Sequence, residues 1–156
     1  MGAARGSADR VEDSLITLMG SESAPPGESN VDLVRSCGEM FERLADTDFA
    51  YLTTTGRRTG KEHTIEIWFT LHDGRIYMLS GGGDRADWVR NLRKTPRVRL
   101  RIGTQSASAT ARLVRAGTKE DELARHLLDG KYQGWREGKR LSSWARNARP
   151  VAIELA

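Results

Sequence analysis

The sequence predicts an antiparallel β-barrel with flanking helices, mainly β with an α+β character, and three observations carry that expectation. Short runs of alternating apolar and polar residues follow one another from Phe49 to Leu155. Most of them are joined by tight turn signals, notably Asp73-Gly74 and Gly103 to Ser106, which connect antiparallel neighbours. Helical periodicity is confined to the stretch before the first run, a short piece near Trp88 and one after Thr118.

The elements follow in chain order. Residues 1–30 are small and polar, interrupted by Pro25-Pro26-Gly27, and are expected to be a flexible lead-in; residues 31–156 form the domain. From Val31 to Leu44 the apolar residues recur at spacings of three and four, which predicts an amphipathic helix. Phe49 to Thr55 is aromatic and β-branched and reads as a strand. Glu62 to His72 puts Ile65, Ile67, Phe69 and Leu71 on one face and Thr64, Glu66, Trp68 and Thr70 on the other, which predicts one long strand. Asp73-Gly74 turns it into a strand from Arg75 to Ser80. Asp84 and Asp87 approximate a capping box for the short helix that carries Trp88. Arg97 to Ile102 sends Val98, Leu100 and Ile102 inward and three arginines outward. The alanine-rich face of Ala107 to Arg115 suits a crowded interior. Thr118 caps a helix to about Leu128, and Pro150 to Leu155 closes the set.

Composition narrows the function classes only a little. One domain of 156 residues with net charge +4 and a pI near 9.6 favours anionic partners. The richest patch runs from Arg85 to Arg101, with seven cations against Asp87. Cys37 is the sole cysteine, so neither an internal disulfide nor a cysteine-rich zinc site is expected, and it reads as a small buried hydrophobe. The absence of a long apolar run points to no transmembrane segment and a cytoplasmic location. Gly81-x-Gly83-x-x-Ala86 fits the dinucleotide fingerprint, but the half-exposed alternation of Arg97 to Ile102 is not the buried parallel strand that motif needs.

Two segments carry chemistry. Thr53-Thr54-Thr55-Gly56-Arg57-Arg58-Thr59-Gly60-Lys61 places glycines, hydroxyls and three cations in one turn, a composition that suits a phosphate or carboxylate and also an ordinary solvated hairpin loop. Ser80-Gly81-Gly82-Gly83 leads from a strand into the Trp88 helix, where the indole either plugs a barrel end or covers a flat ring.

Together these segments resemble the deazaflavin-dependent nitroreductase family, relatives of the flavin-binding split β-barrels that include pyridoxamine phosphate oxidase. The resemblance runs from about Ala50 to Ile102, through the Thr-Thr-Gly-Arg loop, Asp73-Gly74, Gly81-Gly82, Trp88, Asn91, Pro96 and Val98, and more loosely to Tyr132 and the last strand. It implies a split barrel that forms a homodimer, since such barrels pair through a barrel face, and hydride transfer from reduced deazaflavin, coenzyme F420, to a small organic acceptor. Nitro compounds, quinones, enones and imines are the implied acceptors. Arg57, Arg58 and Thr59 would hold the acidic tail of the cofactor. His63, Thr64, Ile65, Glu66, Ile67 and Trp68 would lie along it. Leu79, Ser80, Gly81 and Gly82 would meet the ring edge through backbone groups, and Asp87, Trp88, Val89, Arg90 and Asn91 would complete the site. Tyr132 would donate the proton, or else only pack, and His63 is a second candidate donor.

The chain departs from the family pattern at Glu66, where many relatives carry proline, and at Asp84-Arg85-Ala86-Asp87, which replaces an Asn-Pro type segment. Glu66 is expected either to face the pocket as an acid or to pair with Arg57 or Arg58 and order the loop. Two other functions compete. The same barrel could bind FMN, or the Arg85 to Arg101 patch could bind nucleic acid or anionic lipid, although no aromatic residues interleave Arg97, Arg99 and Arg101 on the outer face of their strand to stack on bases. The small-molecule reading makes nucleic acid an unneeded partner.

Overall fold

A computed structural model describes residues 4–5, 39 and 41–155. Eight strands form one antiparallel sheet: β1 (Ala4–Arg5), β2 (Ala50–Thr55), β3 (Glu62–Ile67), β4 (Thr70–His72), β5 (Arg75–Ser80), β6 (Arg97–Ile102), β7 (Gln105–Leu113) and β8 (Arg149–Leu155). Their spatial order is β1-β3-β2-β6-β7-β8-β5-β4. Among the described residues, helices α1 (Asp87–Lys94), α2 (Lys119–Gln133) and α3 (Ser143–Asn147) join the strands.

The predicted antiparallel architecture is present, and the dinucleotide-like glycines sit in a sheet with no parallel pair. Asp73 and Gly74 both take positive φ, 54° and 77°, the backbone of a tight hairpin between β4 and β5. Val98, Leu100 and Ile102 are buried as their alternation requires, and they meet Leu52, Ile67, Phe69, Ile76, Met78, Ala109, Ala111, Val151 and Ile153 in the barrel interior. A second cluster lies where α2 and α3 cover β5 and β8, built from Tyr77, Leu79, Val114, Ala124, Leu128, Ala145, Ala148 and Ala152.

Four expectations need correction. The single strand from Glu62 to His72 is two strands, broken at Trp68-Phe69, with β3 near one end of the sheet order and β4 at the other. Alternation persists through the break because Phe69 still points into the core, so the pattern alone carries no trace of it. Asp84 does not cap α1: it lies in a 3₁₀ turn, Gly83–Arg85, and pairs with Arg149 at 3.2 Å, while Ala86 holds the N-cap position without a side-chain bond. Helix α2 runs through Gly130 and stops at Gly134, whose φ of 75° gives the left-handed cap. Helix α3 was not anticipated; Ser142 caps it by accepting from the Ala145 N–H at 3.2 Å.

Most of the predicted helix from Val31 to Leu44, Cys37 and most of the lead-in lie outside the described residues. Within that lead-in, Ala4–Arg5 pairs with Ile67 and Glu66 as a strand. Phe41 is buried in the barrel core.

Candidate functional site

The break between β3 and β4 is stitched by two neighbouring side chains of α2. Phe69 has no ladder partner, and its N–H donates to the Tyr132 hydroxyl at 3.1 Å. That hydroxyl faces the carbonyls of Asp48 at 2.8 Å and Phe69 at 3.0 Å as acceptors. Lys131 Nζ donates to the carbonyls of Ala45, Thr47 and Phe69 at 2.8, 3.0 and 2.9 Å, and lies 3.8 Å from the Phe69 ring centroid. Burial pushes the Tyr132 hydroxyl up to about 12 and lowers the Lys131 ammonium to about 8. The side chain expected to donate a proton therefore spends its hydroxyl on backbone. Its ring stacks on Trp68 at 4.4 Å and 2°, and Trp68 meets Trp144 edge-on at 5.2 Å.

The loop between β2 and β3 closes on itself. Gly56 N–H donates to the Lys61 carbonyl at 2.7 Å, Gly60 N–H to the Gly56 carbonyl at 2.9 Å, and Lys61 N–H to Thr59 Oγ1 at 3.2 Å. A Cβ at Gly56 would lie 2.9 Å from His63 Nε2 and 3.0 Å from the Lys61 carbonyl oxygen, so a larger residue there requires the loop to shift. Arg58, Thr59, Lys61 and His63 are exposed on this loop and the start of β3.

Helix α1 holds the loop through Arg57. Asn91 Oδ1 accepts from the Arg57 backbone N–H at 3.1 Å and from its Nη1 at 2.9 Å, and Asn91 Nδ2 donates to Thr54 Oγ1 at 3.3 Å. Arg57 Nη2 donates to Asp87 Oδ1 at 3.1 Å, and Lys94 Nζ donates to the Arg57 carbonyl at 3.0 Å. The glycine turn abuts the same helix start, since a Cβ on Gly82 would touch Ala86 Cβ at 3.5 Å. Ser80 Oγ donates to the Gly83 carbonyl at 2.9 Å and holds that turn shut, leaving Gly81 and Gly82 exposed.

The structure thus brings Arg57, Asp87 and Asn91 together and sets Arg90 exposed on the same helix. Ile67, Leu79, Ser80 and Val89 are fully buried, so their side chains do not reach a surface ligand. Thr64 is also buried, hydrogen-bonded to Thr53 at 2.7 Å. Ile65 is only partly buried and packs against the core. Trp88 plugs the core at 6% exposure. Glu66 neither faces the loop nor pairs with Arg57 or Arg58: it lies across the sheet from Tyr51, whose hydroxyl approaches it at 3.5 Å, and Arg101 covers the Tyr51 ring at 4.2 Å.

Trp144 and Arg149 are the residues that sequence reasoning missed. Trp144 lies under Gly81, its Nε1 4.0 Å from where a Gly81 Cβ would be, and Arg149 pairs with Ser80 across β5 and β8. Trp144 Nε1 and Arg149 Nε are buried donors without a hydrogen-bond partner, and both border the Gly81 turn. The unpredicted α3 carries Trp144, which is why no motif pointed to it. Among the described residues no group of three His, Cys, Asp or Glu is placed to hold a metal, and no helix is long and apolar enough to cross a membrane.

Solved structures share this architecture at low identity. An F420-H2 dependent reductase matches with a TM-score of 0.53 and 23% identity, over 68% of this chain and 93% of that one. A structure described as a domain-swapped dimer matches at 0.53 and 23%, over 81% and 100%. The heme storage protein HutZ of Vibrio cholerae matches at 0.58 and 13%, over 76% and 88%, so the fold alone does not fix the ligand. The family signal does: residues 28–145 match the model of the F420H(2)-dependent quinone reductase family, and the chain belongs to that family, as a split-barrel oxidoreductase whose cofactor is reduced F420.

Proposed function

We propose that this protein transfers a hydride from reduced F420 to a small organic acceptor, a quinone or a related electron-poor compound such as a nitroaromatic, enone or imine. The observation that carries the reading is the closed glycine loop fastened to α1, with Arg58 and Lys61 exposed on the loop and Arg90 exposed on that helix. The residues fit the cofactor on two counts. Exposed cations on a glycine-bent loop match its acidic tail, and Gly81 and Gly82 leave backbone groups uncovered next to the unpartnered Trp144 and Arg149 donors.

When bound, reduced F420 supplies the hydride. The chain's own residues bind and orient. Arg58, Thr59 and Lys61 would hold its acidic tail, Arg90 would add charge from the helix, and Gly81 and Gly82, which project no side chain, would leave room for the ring. His63, exposed at the start of β3, stands nearest that loop as a group able to exchange a proton. Fixed orientation of two reactants contributes about 7–11 kcal/mol in favourable cases, enough for a site without a side-chain nucleophile.

A second copy of the chain is the proposed protein partner, supported by the domain-swapped dimer among the similar structures. The test of the function is direct. Oxidised F420, FMN and FAD are titrated into the purified protein with thermal melting as readout, and reduced F420 is then offered with quinones, nitroaromatics and enones. Stabilisation by F420 and turnover of at least one acceptor class are expected. Stabilisation by FMN alone would overturn the reading.

A further inference from the structure

The loop arginines do not share one task. Resting on the F420 reading above, we infer that Arg57 is a positioning residue that rivets the anion-binding loop to α1, and that Arg58 and Lys61 carry the cofactor's negative charge.

Three residues of one helix face grip Arg57. Asp87, Asn91 and Lys94 are spaced by four and three, so they line one side of α1. Asn91 reaches both the backbone N–H and Nη1, Asp87 takes Nη2, and Lys94 takes the carbonyl. Asn91 is 4% exposed and also ties back to Thr54 in β2, so its part of the rivet is buried, while the Asp87 and Lys94 contacts lie at the surface. The Arg57 side chain is 22% exposed and its charge is answered by Asp87 at 3.1 Å. Two of its five guanidinium N–H groups are thereby committed to α1, and an anionic ligand would compete with Asp87 for its charge.

Arg58 and Lys61 stand differently. Both are exposed at the loop tip, and the hydrogen bond within that tip runs from the Lys61 backbone to Thr59, which leaves the ammonium outside it. The turn that aims them is set by Gly56 and Gly60 and by the Arg57 anchor.

Salt dependence separates the two roles, because an ion contact to the ligand is screened and lost with rising salt whereas an internal anchor is not counted in that slope. F420 affinity is measured across a range of salt for wild type, Arg57→Ala, Arg57→Lys, Arg58→Ala and Lys61→Ala, with a melting curve of each free protein. Arg58→Ala and Lys61→Ala are expected to weaken binding and flatten the salt slope with unchanged melting. Arg57→Ala is expected to weaken binding roughly 10- to 100-fold, as loss of an orienting partner does, with the wild-type slope retained. Arg57→Lys keeps the charge but lacks the planar fork that spans Asn91 and Asp87, and is expected to bind no better than Arg57→Ala. Asn91→Ala should reproduce the Arg57→Ala loss, and the double variant should add little to either.

If Arg57→Lys restores affinity, or if Arg57→Ala flattens the slope as Arg58→Ala does, Arg57 holds the ligand and the inference is wrong while the F420 reading stands. Failure of wild type to bind F420 at any salt overturns both.

Discussion

Replacing Tyr132 with phenylalanine separates a structural hydroxyl from a catalytic one. The variant keeps the ring that stacks on Trp68 and removes only the oxygen that accepts from Phe69 N–H and donates to a carbonyl of Asp48 or Phe69. The Phe69 carbonyl retains Lys131, but its N–H loses its partner at a site where the ladder is broken. An unsatisfied buried donor costs about 1–3 kcal/mol. For a chain of this length that corresponds to a fall in melting temperature of roughly 3–10 °C. A general acid, by contrast, contributes about 10²- to 10⁴-fold to the rate. The hydroxyl's elevated pKa, near 12, favours retention of its proton rather than transfer. The assay is thermal melting together with stopped-flow oxidation of reduced F420 by an accepted quinone. The expected result is the melting shift with kcat changed by no more than about threefold. A hundredfold loss of kcat with unchanged melting would refute the reasoning.

Other expectations follow from the same geometry. Lys131→Met removes the donor shared by the Ala45, Thr47 and Phe69 carbonyls, of which only that of Phe69 can turn to the Tyr132 hydroxyl, and should destabilise the protein by about 1.5–3 kcal/mol in chemical denaturation, with a smaller effect disproving the clamp. Glu120 is held down to about 2, chiefly by the Arg112 guanidinium that binds it at 2.8 and 2.9 Å. A depressed carboxyl stabilises the fold above its unfolded value and loses that contribution as pH falls through the folded value. Stability should therefore drop between about pH 4.5 and 2 in wild type, and this part of the acid dependence should be missing from Glu120→Gln in pH-dependent urea titrations. Gly56→Ala should distort the loop against the Lys61 carbonyl and weaken F420 binding in the same titration that ranks the arginine variants; wild-type affinity would show that the loop tolerates the added methyl.

The sequence was a good guide wherever a local rule decided the structure. Alternation located β6 and the buried side of β7, and Asp73-Gly74 marked its hairpin, because period and turn chemistry act within a few residues. The basic loop and the Trp88 helix were recognised as a pair, and Arg57, Asp87 and Asn91 do meet. What could not be read was set by contacts across the chain. The strand break at Phe69 depends on residues more than sixty positions away, and α2, expected to end at about Leu128, continues to Gln133 before Gly134 caps it. Asp84 had the local signature of a cap, yet Arg149 claims it from the far end of the domain. Trp144 escaped notice because α3 is short and its start rests on Ser142 bound to the buried Asp129.

The stitched gap at Phe69 also decides how the molecule comes apart. Side chains, not a strand ladder, close this part of the wall, so the Phe69 amide depends on helix α2: unfastening the helix exposes that amide to solvent exchange. The helix is in effect a removable stave of the cask.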